Sequence, residues 1–291
     1  MAIWNLGSIN ADHFYRLDHI PAPGETILSG GLTTGLGGKG ANMSVAAARA
    51  GARVTHIGAV GRDGGWAVER LLEYGVDTRQ IATSVDATGH AIIMLDPSGE
   101  NSIIVHPGAN VTIPTDQIGI ALTEATPGDT LLMQNETNAQ SFAADTAVKL
   151  GLRVAYAAAP FEAEATRAVL PQVDLLFLNA VEMAQLSAAT GQGPADLGVQ
   201  TVVVTKGAAG CTLYDQAAGW AAQDIPAPEV AVVDTTGAGD TFTGYFLAAL
   251  DRGAPLLAAA ELAIKASALM VTRAGTADVI PDLKEVLDWA V

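Results

Sequence analysis

"AVVDTTGAGDTFTG", residues 231–244, decides how the chain is read. Its apolar beginning has the character of a strand ending in Asp234, after which Gly237, Ala238 and Gly239 supply a turn. Asp240 then opens a helix that continues through "FTGYFLAAL" (242–250). Strand, glycine turn and helix in direct succession form the repeating unit of a parallel sheet covered by helices. The first amides of such a helix have no partners within it, so the N–H groups of residues 237–240 are expected to point outward, where the dipole favours an anion. Asp240 also has an ordinary reading as an N-cap. A cap needs only one side chain and does not explain the glycines. Free amides beside a carboxylate suit an oxyanion or a transferring phosphoryl group held on the amides, while the carboxylate takes a proton from an attacking hydroxyl.

The pattern repeats along the chain. "AIWNLGSI" (2–9), "RVTHIGAV" (53–60), "DTLLMQ" (129–134), "RVAYAA" (153–158), "DLLFLN" (174–179) and "TVVVT" (201–205) predict strands. Between them "GWAVERLLEYG" (65–75), "NAQSFAADTAVKLG" (138–151) and "EAEATRAVL" (162–170) space apolar residues as helices do. The expected class is α/β: a doubly wound, mostly parallel sheet flanked by helices, in one domain over residues 1–291. Two stretches break the alternation. Residues 12–35 contain "PAPGETILSGGLTT", and residues 87–108 contain two alternating apolar runs joined by the turn "DPSGE" (96–100). They predict a small β-sheet projecting over the main domain as a lid, with a plain surface hairpin as the alternative.

Composition excludes several functions. The chain has 291 residues, 49% of them hydrophobic, enough for a sizeable core. Thirty-one acidic against 15 basic residues give a formal charge of -16, which repels nucleic acid and anionic membranes unless the cations cluster. The lysines are instead scattered from Lys39 to Lys284. A single cysteine, Cys211, rules out an intramolecular disulfide and is expected to be a small buried apolar residue. The N-terminus has neither an early positive charge nor a long apolar run, so a cytoplasmic, unanchored protein is expected.

A second glycine-rich stretch, "GLGGKGAN" (35–42), allows three readings. A P-loop needs Ser or Thr after its lysine and Gly five residues before it, but Gly40 follows Lys39 and Thr34 stands five before. A dinucleotide site needs a buried strand running into Gly35, and "ILSGGLTT" offers only isolated apolar residues. What remains is a glycine turn opening the helix "ANMSVAAARAG" (41–51), near a ligand or merely close-packed.

Together, "GGKGAN" and "DTTGAGDTF" resemble, in order and separation, the paired signatures of the ribokinase-like, or PfkB-type, carbohydrate kinases. The resemblance extends from "NAD" (10–12) to "VTRAG" (271–275). It implies a doubly wound α/β fold with a β lid, and ATP-dependent phosphorylation of a sugar primary hydroxyl, D-ribose before other sugars. Under it, Asp240 is the base, and Gly237, Ala238 and Gly239 complete the anion hole. Asn10, Asp12, Gly38, Lys39, Asn42 and Glu136 match sugar contacts. Asn179 and Glu182 match the family's N-x-x-E, which organises Mg2+ and phosphates, and "TKGAAG" places Thr205, Lys206, Gly207 and Gly210 beside ATP. Asp234, Thr236 and main-chain oxygens around Arg273 and Gly275 match a monovalent-cation site, K+ by preference. The resemblance also implies a homodimer paired through the lid.

The residues themselves leave other readings open. Asn10 and Asp12 are also ordinary turn residues, Asn42 and Glu136 ordinary helix-start residues, and Asn179 with Glu182 an ordinary helix start. "YAAAPF" (156–161) and Ile264 depart from the family pattern and bear on the sugar and the adenine. Fructose, ketodeoxygluconate or a nucleoside therefore remain alternative substrates. A dinucleotide-dependent oxidoreductase and a non-catalytic sugar-binding regulator are more distant alternatives.

Overall fold

Strands whose residues are apolar at successive positions need cover on both faces, and this requirement builds the molecule. The computed structural model describes residues 1–97 and 101–290. In chain order these form β1 (Ile3–Leu6), β2 (Asn10–Arg16), β3 (Gly31–Gly37), α1 (Lys39–Arg49), β4 (Val54–Val60), α2 (Gly65–Glu73), β5 (Ile81–Thr83), β6 (Gly89–Leu95) and β7 (Asn101–His106). There follow α3 (Thr115–Thr123), β8 (Thr130–Gln134), α4 (Gln140–Lys149), β9 (Arg153–Ala157), α5 (Ala163–Val169), β10 (Leu175–Asn179), α6 (Ala180–Thr190) and β11 (Thr201–Thr205). The last elements are β12 (Cys211–Asp215), β13 (Gln223–Ile225), α7 (Ala238–Asp251), α8 (Leu256–Met270) and α9 (Leu283–Asp288).

The main sheet has the order β13-β12-β11-β10-β9-β8-β1-β4-β5 and is parallel except at β12 and β13. Each strand sends alternate side chains to opposite cores. Leu175 and Phe177 of β10 join Ile3, Leu132 and Val203 beneath α1, α7 and α8. Leu176 and Leu178 join Trp4, Leu6 and Tyr156 beneath α3, α4 and α6. Cys211 is buried in the first of these cores. The expected doubly wound class is therefore present. Among the described residues, no helix is long and apolar enough to cross a membrane.

A second sheet of four strands, in the order β3-β2-β6-β7, is built from the two stretches that interrupt the alternation. The antiparallel β6–β7 pair is the expected hairpin, with Leu95 opposite Asn101; Ser98, Gly99 and Glu100 of its turn lie outside the described residues.

The structure departs from the sequence reading in three places. Residues 231–234 are not a strand: Val232 and Val233 are 58% and 62% exposed, and the amides of Val233 and Asp234 bond to Val271 O instead. Pro226 and Pro228, which lack an N–H, carry the chain away from β13 at the sheet edge, so the branched run meets no strand partner. Helix α7 starts at Ala238 after Gly237 in the left-handed region (φ 78°), so Asp240 sits in the first turn and is not the N-cap. Gly31–Gly37 do form a strand, but it is the edge of the small sheet, antiparallel to β2. A dinucleotide site requires a parallel strand there, and that reading falls.

Candidate active site

The main sheet reverses its order of growth at β1, which lies between β8 and β4, and ligands of open α/β sheets collect where carboxyl ends diverge in this way. Just past β1, the N-terminus of α1 lies against Gly7 and Ser8. A Cβ on Gly40 would stand 2.4 Å from Gly7 Cα and 2.3 Å from Ser8 N, so only glycine permits the approach. Gly38, at φ 91°, turns the chain into the helix. Its role as N-cap is filled from elsewhere. Glu136 Oε2, past the end of β8, accepts from Lys39 N–H (3.0 Å) and from Ser8 Oγ (2.5 Å), and Ser8 Oγ in turn accepts from Gly40 N–H (3.2 Å).

Beneath this turn runs a polar network that the sequence reading missed. Gln134 Nε2 donates to Asn5 Oδ1 (2.8 Å), and Asn5 Nδ2 donates to Gly40 O and Ser44 Oγ (both 2.8 Å). His56 joins Ser44 Oγ (2.9 Å) to Gly7 O (3.0 Å). Burial pushes the His56 pKa down to about 4, so the ring is neutral, donates from Nε2 to Gly7 O and accepts at Nδ1. Asn5, His56 and Gln134 stand as polar residues inside apolar strands, and that was the available signal.

Over the same ground α7 brings Asp240, which is 7% exposed and accepts from Asn42 Nδ2 (2.9 Å). Burial pushes the Asp240 carboxyl above its ordinary value, against Lys39 and the Asn42 bond, which pull it down. Lys39 is raised in turn, chiefly by Asp240 and also by Glu136, Glu182 and Asp12. One cation thus serves four carboxylates. Asn42 Oδ1, on a side chain 5% exposed, has no hydrogen-bond partner among the described residues. Such an orphaned buried acceptor fits a ligand hydroxyl.

Asp12, from β2, completes the cluster. Its carboxylate lies against Gly37, where a Cβ would be 1.9 Å from Oδ2. Burial, then Glu136 and Asp240, raise its pKa from 3.8 to about 7, with Lys39 opposing. The neighbouring Asn10 accepts from Asn110 Nδ2 (2.8 Å). A folded-state pKa raised in this way contributes stability below pH 3.8 that is lost as pH rises through about 7. Asp12→Asn should therefore raise Tm by a few degrees at pH 8 and by almost nothing at pH 4, which paired thermal melts will check.

Facing this cluster is the first turn of α7. Among the described residues, the amides of Gly237, Gly239 and Asp240 have no hydrogen-bond partner, whereas Ala238 N–H turns back to Thr235 O (3.2 Å). The expected set of four outward amides is therefore three. A Cβ on Gly239 would meet nothing within 4 Å, so space lies open beside Gly239, whereas one on Gly237 would stand 3.0 Å from Met270 Cε. Asp234 Oδ1 accepts from Thr236 N–H (2.9 Å) and Oδ2 from Gly275 N–H (3.1 Å), joining the loops on either side of α7 and α8. The Arg273 guanidinium is directed to Glu285 (3.0 Å).

Asn179 and Glu182 cap each other's amides at the start of α6 in a capping box, which engages Asn179 Oδ1 and Glu182 Oε2. Both readings of the pair meet here, because Glu182 also lies near enough to Lys39 and Asp240 to feel their charge. Thr205 ends β11, and Lys206 ion-pairs with Asp224 (2.6 Å). Gly207 (φ 56°) and Gly210 (φ 86°) shape the following turn, and a Cβ on Gly210 would collide with Ile225 O. Two clefts, of about 670 and 420 Å³, open at the amino ends of the strands beside Arg153 and Asp174 and beside Trp4 and Asp77. Neither gathers groups like those around Asp240, so the candidate site is the carboxyl edge.

Residues 3–283 match the family described as "pfkB family carbohydrate kinase". A ribokinase of Haemophilus influenzae is 34% identical over 299 residues, covering 98% of this chain and 96% of that one. Among solved structures, a ribokinase from Cryptococcus neoformans in complex with ADP superposes with a TM-score of 0.84 at 34% identity, covering 99% of each chain. An Arabidopsis thaliana ribokinase complexed with ribose and ATP gives a TM-score of 0.85 at 30% identity, covering 98% of this chain and 97% of its own.

Proposed function

Because the chain belongs to the pfkB family of carbohydrate kinases, we propose that it transfers the γ-phosphoryl group of ATP to the 5-hydroxyl of D-ribose, giving ribose 5-phosphate and ADP. The observation that carries this reading is the buried carboxylate of Asp240, held by Asn42 beside the open first turn of α7. Asp240 accepts the hydroxyl proton as the ribose oxygen bonds to the γ-phosphorus and the bond to the β-phosphate oxygen breaks. The amides of Gly237, Gly239 and Asp240 receive the charge that develops on the phosphoryl oxygens.

Asp12, ionised, accepts from two ribose hydroxyls, and the orphaned Asn42 Oδ1 accepts from another. Asn10 adds an amide. Glu136 acts through the α1 turn it caps, where Gly38 and Lys39 meet the sugar. Thr205, Gly207 and the turn to Gly210 receive ATP, with Lys206 fixed beside them by Asp224.

The donor chemistry fits both expected cations. Glu182, oriented by Asn179, would hold magnesium through Oε1, the carboxylate oxygen that the capping box leaves over, and magnesium would supply charge neutralisation on the phosphates. The Asp234 carboxylate and main-chain oxygens near Arg273 and Gly275 would hold a monovalent cation.

The small sheet is a lid within one catalytic domain, shielding the transfer from water. Ile103, Ile104 and Val105 are exposed at successive positions of its edge strand β7, which supports pairing of two copies through the lid. Absence of a membrane-crossing helix among the described residues and the acidic composition suit a cytoplasmic enzyme.

ADP release from Mg-ATP in potassium buffer, over D-ribose, 2-deoxyribose, fructose, ketodeoxygluconate and adenosine, tests the reading. Ribose is expected to give the highest kcat/KM. A larger value for another member replaces the substrate and keeps the chemistry, and no release from any member overturns the kinase assignment.

A further inference from the structure

The segment after α8 is fixed to the body of the protein and to the small sheet at once. Arg49 of α1 donates to the carbonyls of Asp278 and Ile280, and Tyr245 of α7 donates to Pro281 O (2.6 Å). These bonds tie the segment to the two helices that carry Lys39 and Asp240. In the opposite direction, Thr276 Oγ1 donates to the carbonyl of Leu36 in β3, 2.8 Å away and 240 positions earlier in the chain. Thr276 is 5% exposed and Leu36 is buried. β3 is an edge strand with β2 on one side only, and Leu36 pairs there with Ala11.

The residues beside this bond lead to both halves of the site. Gly37, next to Leu36, is the residue whose Cα lies against the Asp12 carboxylate. Gly275, next to Thr276, donates to Asp234, whose other oxygen holds Thr236 N–H at the turn into α7. A continuous track of backbone and hydrogen bonds therefore runs from Asp12 through Leu36 and Thr276 to the first turn of α7. One side-chain hydrogen bond joins its two parts.

We propose that Thr276 is a positioning residue that couples the two halves, so that sugar held at Asp12 tightens nucleotide held at α7, and the reverse. The proposal rests on the kinase reading of the preceding subsection. Sugar that fixes Asp12 fixes Gly37 and Leu36, and the Thr276 hydroxyl passes that constraint to the loop that sets the α7 amides. Coupling of this kind is reciprocal: each ligand must change the other's affinity by the same factor.

Calorimetry on the full chain tests the link. The Kd values of D-ribose and of β,γ-methylene-ATP with magnesium are measured alone and with the other ligand saturating. In the wild type each ligand is expected to tighten the other by about 5-fold or more. Thr276→Val keeps the shape and removes the hydroxyl, and it should bring the factor below about 2-fold while each ligand alone stays within about 2-fold of wild type. Thr276→Ser restores the hydroxyl and should restore the factor. A loss of packing alone would weaken the ligands independently and leave the ratio in place. An unchanged factor in Thr276→Val, no rescue by Thr276→Ser, or no coupling in a wild type that still phosphorylates ribose overturns the link and leaves the kinase reading standing. A wild type that binds neither probe overturns both.

Discussion

Asp240→Asn is expected to lower turnover by about 100-fold or more while the ribose Kd stays within a few-fold of wild type. The substitution keeps the shape of the side chain and an oxygen for the Asn42 amide, so the first turn of α7 has no reason to move. What disappears is the proton acceptor. The raised pKa makes this carboxylate a stronger base than an exposed aspartate, and Lys39 keeps it from rising further. A neutral amide has no comparable affinity for the hydroxyl proton. Single-turnover phosphorylation beside ribose calorimetry separates the two effects. Full turnover in Asp240→Asn would remove the base from the mechanism, and a parallel loss of ribose binding would make Asp240 a binding group only.

Gly37→Ala should raise the ribose KM by about 100-fold with kcat at saturation little changed. Gly37 is not among the positive-φ glycines, so alanine is conformationally acceptable there. The conflict is with one side chain: the new methyl would occupy the place of the Asp12 carboxylate, 1.9 Å from Oδ2. The carboxylate must swing out, and ribose loses its ionised double acceptor. Hydrogen bonds to charged groups are each worth about 1.5–3 kcal/mol, and about 2.8 kcal/mol corresponds to 100-fold. The clash falls on Asp12 and not on Asp240, so the chemical step survives at saturating ribose. In the wild type the KM should rise as pH falls below about 7, because Asp12 takes up its proton there. In Gly37→Ala that dependence should vanish. A KM within a few-fold of wild type would show that Asp12 does not hold the sugar.

The parallel core was legible because strands such as "DLLFLN" and "TVVVT" are apolar on both faces, a pattern that only a sheet covered on both sides explains. The same logic misread residues 231–234, where branched residues stand without a strand beside them. Sequence records the preference for extended backbone and not the presence of a partner. β3 was foreseen only as part of the stretch expected to form the small sheet, because glycine and threonine become a strand where β2 offers a partner.

In the candidate site, Asp240 stood out because its glycines had no purely structural explanation, and Asp12, Lys39, Asn42 and Glu136 are brought together around it. The polar residues Asn5, His56 and Gln134 inside apolar strands were a signal, but their partners, and the place of Ser8 beside Glu136, were not legible. Each bond there joins residues from different elements, and only the fold makes them neighbours.

The strand order has a consequence for the growing chain. From β8 to β13 each strand lies beside the one before it in the chain, so this half of the sheet can be added in the order its residues emerge from the ribosome. Helix α7 is different. α7 must return across the sheet to α1, where Gly244 meets Ala46 and Asn42 meets Asp240, 198 residues apart. On the proposed reading, a nascent polypeptide gains Asp240 only when almost its whole length is made, so the unfinished protein would have no means of spending the ATP around it.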